Sequence, residues 1–209
     1  MFYEEIPDKA LRFGDVVQGF ISLTPAIARP ILAMDQSIYS VEVRLGLCAI
    51  LSPCCSIRDG LLSLAPLKRV PRQYLENEYF AIDLTNINRK MEPHQTLPKK
   101  RWDALPDHVK QERLREGQTF ALMEMFVYAA HDFLPRYEVR VNGKPRSINH
   151  YMIDFRDAFK VSCSAIAAPH RSPLDSKLLQ LSVTARQELR DKIIFYYSRV
   201  PDEELALVG

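Results

Sequence analysis

No apolar run in this 209-residue chain approaches the roughly 20 residues that a bilayer-spanning helix needs. The opening Met1-Phe2-Tyr3-Glu4-Glu5 is acidic and has neither the basic nor the apolar region of a secretory signal, so a soluble, cytoplasmic protein without membrane contact is expected. Cysteine is scarce: the four, at positions 48, 54, 55 and 163, follow no disulfide framework, and no CxxC loop offers a zinc site. Reduced thiols and no metal are the reading. Neither sign of charge dominates, because 28 basic and 26 acidic residues leave a formal net charge of only +2. A field that weak draws neither nucleic acid nor an anionic membrane from a distance, so any nucleic-acid contact has to be local. P-loop, GxGxxG, GxSxG and HExxH motifs are all missing, which removes the basis for nucleotide-cofactor, serine-hydrolase and zincin chemistry. No cofactor is expected.

What is present centres on residues 41–70. Val41 to Leu45 alternates apolar and polar side chains, and Leu47 to Leu51 is continuously apolar, the pattern of a strand that becomes covered on both faces. Ser52 to Gly60 breaks it, because Pro53 cannot donate to a ladder and Asp59-Gly60 suits a turn of positive φ. Leu61 to Val70 then returns as the second arm of a core hairpin, with Cys54 and Cys55 on its connection.

Before it, Val16 to Ile21 reads as a first strand entered through Gly14-Asp15, with Gly19 marking a bulge. Thr24 to Pro30 reads as a loop and Ile31 to Met34 as a short strand. After it, residues 71–118 read as a helical insertion punctuated by prolines, with helices over Arg72 to Tyr79 and Pro106 to Arg115. Phe120 to Tyr128 reads as a mostly buried strand carrying one charge, Glu124. Tyr137 to Val141 alternates, Asn142-Gly143 is a strong hairpin signal, and Ser147 to Phe155 forms the return, followed by a further strand within 159–166. Near the end Thr184 and Gln187 fit a capping box, and Leu189, Ile193, Tyr197 and Val200 recur at helical spacing up to Pro201.

Each candidate site residue has a plainer reading beside it. Cys55 with His131 as base forms a thiol dyad if both strand ends meet, but adjacent cysteines are also ordinary small buried residues. His94, His108 and His150 read as surface or packed histidines. Asp15, Glu124 and Asp154 on β segments form an acid/base or cation-holding group, or else ion pairs with Arg12, Arg140 or Arg156, the commoner fate of buried carboxylates. The run Lys99-Lys100-Arg101 is a phosphate-contacting patch or a solvated loop.

Gly14-Asp15-Val16-Val17, Arg29-Pro30-Ile31-Leu32-Ala33 and the apolar strand ending Ala65-Pro66-Leu67 resemble the plan of the MazF/PemK-like toxins, which are small SH3-like barrels. That resemblance implies RNA cleavage using Arg29 and a hydroxyl after the A-P-[IL] step; here Lys68 stands at that position. The segment LSPCCSI and the strand after it resemble uncharacterised prokaryotic proteins of mobile-element and antiviral-defence settings, including CRISPR accessory proteins.

The sequence therefore predicts one α+β domain over 1–209, a bent antiparallel sheet or small SH3-like β-barrel (10–70 and 119–166), with a helical insertion (71–118) and a C-terminal helix (184–199). Its leading function is that of a non-catalytic accessory protein that binds another protein in antiviral defence or a toxin–antitoxin pair. The alternatives are an RNA-binding, ribonuclease-like barrel using Arg29, Lys68, Arg69, Lys99, Lys100 and Arg101, and a thiol enzyme using Cys55 and His131.

Overall fold

The computed structural model describes residues 1–8, 10–24, 42–53, 61–89, 96–97, 99–116, 118–120, 122–162 and 177–198. The fold is mixed α+β with several sheets, largely antiparallel. In chain order come β1 (Val16–Thr24), β2 (Glu42–Ile50), β3 (Leu61–Pro66) and β4 (Lys68–Arg69), then α1 (Arg72–Leu75), α2 (Glu78–Ile82) and a 3-10 turn (Leu84–Asn88). There follow β5 (Thr96–Leu97), α3 (Lys99–Asp103), α4 (Asp107–Arg115), β6 (Thr119–Phe120), β7 (Met125–Tyr128), β8 (Tyr137–Val141), β9 (Lys144–Ile148) and β10 (Tyr151–Asp154). A second 3-10 turn (Phe155–Asp157), β11 (Phe159–Ser162), β12 (Lys177–Leu179) and α5 (Val183–Ser198) complete the chain. Two compact units result: a first of Glu4–Leu67 with Asp157–Gln180, and a second of Met1–Tyr3, Lys68–Arg156 and Leu181–Gly209.

The first unit is a five-stranded antiparallel sheet in the order β11-β3-β2-β1-β12. The expected core hairpin is there: Cys48 pairs with Pro66, Ala49 with Ala65 and Ile50 with Leu64. Cys48, Ile50, Leu62 and Leu64 are fully buried with Val17 and Leu11, and Phe159 packs on them. Gly14 adopts φ +85°, a left-handed value that suits glycine, and its N–H donates to the Ile50 carbonyl at 2.7 Å. The β1–β2 register slips between Gln18 and Phe20, which places the bulge at Gly19 as its position in the strand pattern predicts. Among the described residues the sheet stays open, with β11 and β12 at its edges. The loop expected at 24–30, the short strand at 31–34 and the connection carrying Cys54 and Cys55 lie outside the described residues from position 25 onward.

The second unit corrects the expectation of one continuous sheet. The strands near 120–128 and 147–155 do not extend the ladder of β1 to β3; β10 sits between β4 and β7, and β8 pairs with β9 alone. Asn142 and Gly143 take φ 50° and 78°, so the two-residue turn forms as expected, but β9 begins at Lys144 and runs through Pro145. A proline is tolerated there because the two-stranded hairpin leaves an outer edge with no ladder to feed. All four residues of β10 are buried, including both faces of the alternation, so it reads as a central strand. The segment expected as one strand from Phe120 instead turns at Met123-Glu124, and β7 starts at Met125; Thr119 and Phe120 pair in parallel with β5.

Helix boundaries also differ from the sequence pattern for local reasons. The helix expected over Arg72 to Tyr79 stops after Leu75, and Asn77 starts α2 by accepting the N–H groups of Tyr79 at 3.0 Å and Phe80 at 3.3 Å. At α5 the cap is Ser182, whose Oγ accepts the Ala185 N–H at 3.2 Å, rather than Thr184 two residues later. Its buried row is Ala185, Leu189 and Lys192, so Tyr197, expected to dock, faces outward at 67% exposure. The α4 boundaries agree with the prediction, with Asp107 in the first turn and Arg113 and Arg115 in the last, as the helix dipole favours.

Candidate functional site

Of the residues marked in the sequence, Arg29, Cys54 and Cys55 lie outside the described residues. His131 follows β7 in the second unit, edge-on to the Tyr3 ring at 5.1 Å and tilted against Phe133 at 5.0 Å. Its Nδ1 accepts the Phe133 N–H at 3.2 Å, which puts the proton of a neutral ring on Nε2. In that tautomer Nε2 donates and does not abstract a proton. Lys68 and Arg69 are both exposed on β4, opposite Met152 and Tyr151 of β10. Adjacent strand residues point to opposite faces, so the two cations diverge: the Lys68 charge helps to lower the Asp154 pKa, and the Arg69 guanidinium lies 5.1 Å from the centre of the Tyr137 ring. Lys99, Lys100 and Arg101 open α3, where Arg101 is exposed and the following Trp102 is buried.

One group of titratable side chains in the second unit was marked by the sequence only in part. Glu124 from the turn before β7, Asp154 at the end of β10, Arg156 in the 3-10 turn, Tyr74 of α1 and Lys192 of α5 act on one another electrostatically. Backbone bonding sets the frame, since the Phe155 N–H donates to the Glu124 carbonyl at 2.8 Å. Asp154 takes the Arg156 guanidinium in a fork, Nε to Oδ1 at 2.8 Å and Nη2 to Oδ2 at 2.5 Å, and also accepts the Arg156 backbone N–H at 3.0 Å. Burial alone would raise the Asp154 pKa, but the bonds to Arg156 outweigh it and hold the carboxyl below its ordinary value. The ion pair anticipated for this carboxylate is therefore the one that forms.

Lys192 is the unusual member. Its side chain is buried, its Nζ donates to the Ile87 carbonyl, and burial lowers its pKa to about 7 against the opposing pull of Glu124. An amine tuned to neutrality is a base or nucleophile wherever a substrate can reach it. Here Nζ is committed to a carbonyl inside the packing, and the neighbouring cavity of about 270 Å3, lined by Met1, Phe2, Thr85, Arg89, Thr184, Ala185 and Glu188, does not include Lys192. The group works as an anchor, fastening α5 to the 84–88 turn.

The first unit holds a second network of this kind. Asp15 is fully buried, and the Lys177 ammonium meets its Oδ2 at 2.8 Å, Gln180 Oε1 at 2.6 Å, the Ala10 carbonyl at 2.8 Å and Asp8 Oδ1 at 3.3 Å. Arg12 donates its backbone N–H to Asp15 Oδ2 at 2.8 Å and its side chain to Asp8. The arginine bond holds the Asp8 carboxyl down at about 2. This carboxylate too is compensated, by a lysine more than 160 positions away.

The chain matches no protein-family model, curated protein or solved structure.

Among the described residues no three His, Cys, Asp or Glu side chains are grouped to hold a metal ion, and no helix is long and apolar enough to cross a membrane. Cys48 is buried and its thiol is pushed up to about 12 by desolvation, the state of an inert core residue. Among the described residues, the outer side of α5 exposes large apolar side chains. Ile194 is 57% exposed and Tyr197 67%, one helical turn apart. Phe155 holds the adjacent row from beneath: its ring meets Tyr196 at 5.7 Å, and its carbonyl accepts from the Tyr197 hydroxyl at 3.5 Å. Sequence periodicity assigned Tyr197 to the buried face because it gave no weight to Lys192 as an inward residue. The signal was present, since Ala185, Leu189 and Lys192 share one helical row.

Proposed function

We propose that the protein is a non-catalytic accessory protein that binds another protein through the outer face of α5. The observation that carries this reading is the exposed apolar pair Ile194 and Tyr197, one turn apart on a helix whose inner side is tied down by Leu189 and Lys192. Single exposed apolar residues such as Ile82 and Phe133 are ordinary, whereas a helix that turns a tyrosine and an isoleucine outward one turn apart offers paired anchors. Fully covering one such side chain is worth about 1.5–3 kcal/mol. The partner fitted to a narrow ridge is an amphipathic helix, its apolar stripe over Ile194 and Tyr197 and a carboxylate opposite Arg190, whose side chain is 59% exposed.

The toxin–antitoxin setting rests on the resemblance of the segments at 14–17, 29–33 and 62–67, as does the finer reading of the first unit as a small SH3-like barrel, and the antiviral-defence setting rests on that of LSPCCSI at 51–57. The test is a pull-down from the native host with wild-type protein and with Tyr197→Ser/Ile194→Ser. A specific protein retained by the wild type and lost from the double variant supports the reading. The same protein retained equally by both removes α5 from it.

A further inference from the structure

Charge is distributed unevenly in the second unit. Residues 68–76 and 136–148 hold seven exposed cations against two carboxylates, Glu76 and Glu138, although the whole chain carries a net charge of only +2. Arg72 and Glu76 pair at 2.7 Å and cancel, which leaves six cations against Glu138.

Pairing orders part of this charge into a row. Tyr137 stands opposite Ile148, Val139 opposite Arg146 and Val141 opposite Lys144, so these side chains share one face of the β8–β9 hairpin. At the root of that face the Arg69 guanidinium covers the Tyr137 ring at 5.1 Å. Tyr137 is itself fixed, its hydroxyl accepting the Val70 N–H at 2.8 Å and donating to the His150 carbonyl at 2.6 Å. Arg69, Arg146 and Lys144 thus follow one another toward the tip, the last two separated by a two-residue step of about 6.7 Å. An arginine seated on an aromatic face keeps its fork of N–H groups free for an anion.

We propose that this face of the hairpin, through Arg69, Arg146 and Lys144, binds the phosphate backbone of a single-stranded nucleic acid without reading its bases. The two-residue step is close to the spacing of neighbouring phosphates on an extended single strand, roughly 6–7 Å and about twice the 3.4 Å rise of a stacked one, so successive cations meet successive phosphates. The nearby aromatics, Tyr137 and Tyr151, are buried and serve the cations' placement, which leaves no platform for base stacking. A duplex groove is a poorer partner, because a ribbon that enters a groove must stand clear at its tip. Here the Asn142 N–H is held by Glu76 at 3.2 Å. The surface is separate from α5; of its residues Arg69 lies within the first 70 or so positions that resemble a known family, and Lys144 and Arg146 lie beyond them.

The experiment is fluorescence anisotropy with a labelled oligouridine of about 20 nucleotides at low salt, on the full chain. Three phosphate contacts predict a log–log salt slope near −2, from about −0.7 per contact on single strands. Replacing Arg69, Lys144 and Arg146 together by Gln abolishes the binding, and Arg146→Gln alone flattens the slope by about one contact's worth. All three are surface side chains, and an unchanged thermal melt certifies the fold of each variant. Absence of binding by the wild type, or binding unaffected by the triple replacement, overturns the proposal. Tighter binding to a duplex of equal length overturns the single-strand assignment, and equal binding to polyglutamate overturns it in favour of an acidic protein.

Discussion

Lys177 and Asp15 form a buried ion pair across the first unit, Nζ to Oδ2 at 2.8 Å, with the carboxylate fully removed from solvent and the lysine side chain 6% exposed. One partner immediately precedes β1 and the other opens β12, so the pair fixes the edge of the five-stranded sheet. Removing one member strands the other charge in the interior. Lys177→Met is therefore predicted to lower the unfolding free energy by about 3–5 kcal/mol in urea titration, and Lys177→Met combined with Asp15→Asn by less than the single change.

Lys192 makes stability depend on pH in a defined direction. Its pKa is about 7 in the fold against 10.5 when solvated, so below pH 7 both states carry the proton, and above it only the unfolded chain keeps it. Stability then rises with pH from about 7, at a limiting slope near 1.4 kcal/mol per unit. The rise ends near pH 9, where Cys48, whose thiol is raised from 9.0 to about 12, begins to favour the unfolded chain by ionising there first. The groups facing Lys192 are the Ile87 carbonyl and the Glu124 carboxylate, which opposes the shift. Urea titrations between about pH 7.5 and 9, above the range in which His150 with its burial-lowered pKa also adds to the rise, should show this slope in the wild type and a flat profile in Lys192→Met.

Asn88 completes an open strand edge with its side chain. Its Nδ2 donates to the Val127 carbonyl at 2.7 Å, and its Oδ1 accepts the Val127 N–H at 2.6 Å, so one amide takes the place of a neighbouring strand beside β7. Asn88→Leu leaves both backbone groups buried and unpaired. The expected cost is about 2–4 kcal/mol, read by chemical denaturation, with faster hydrogen exchange at the Val127 amide.

Much of this was legible in the residues, and the parts that were not share a cause. The β2–β3 hairpin, the Gly19 bulge and the Asn142-Gly143 turn are written in local pattern, because alternation, a misplaced glycine and a need for positive φ act within a few residues. The Asp154–Arg156 pair lies two positions apart and was readable for the same reason. The partners of β10 were not: it pairs with β4 and β7, far away in sequence, and not with β9 just before it. Asn88 at β7 and Lys177 at Asp15 are likewise long-range, and Lys192 was hidden because a lysine on an apolar helical row counts as a surface residue until its carbonyl partner is seen.

Turn chemistry gives a smaller effect. Gly143 has φ 78° and open space where a Cβ would stand, so Gly143→Ala adds backbone strain and no clash. A loss of about 1–2 kcal/mol is expected in thermal or urea denaturation. Asn142 tolerates its φ of 50° better than most residues, and Asn142→Gly should be close to neutral.

The proposed binding role of α5 is tested most directly by placing a photoreactive amino acid at Ile194 and, in a second protein, at Ile82, an equally apolar residue exposed on α2. Irradiation in the native host is predicted to yield one discrete protein adduct from position 194 and none from position 82. An adduct from position 82 alone, or none from 194 under conditions that preserve the fold, would contradict it.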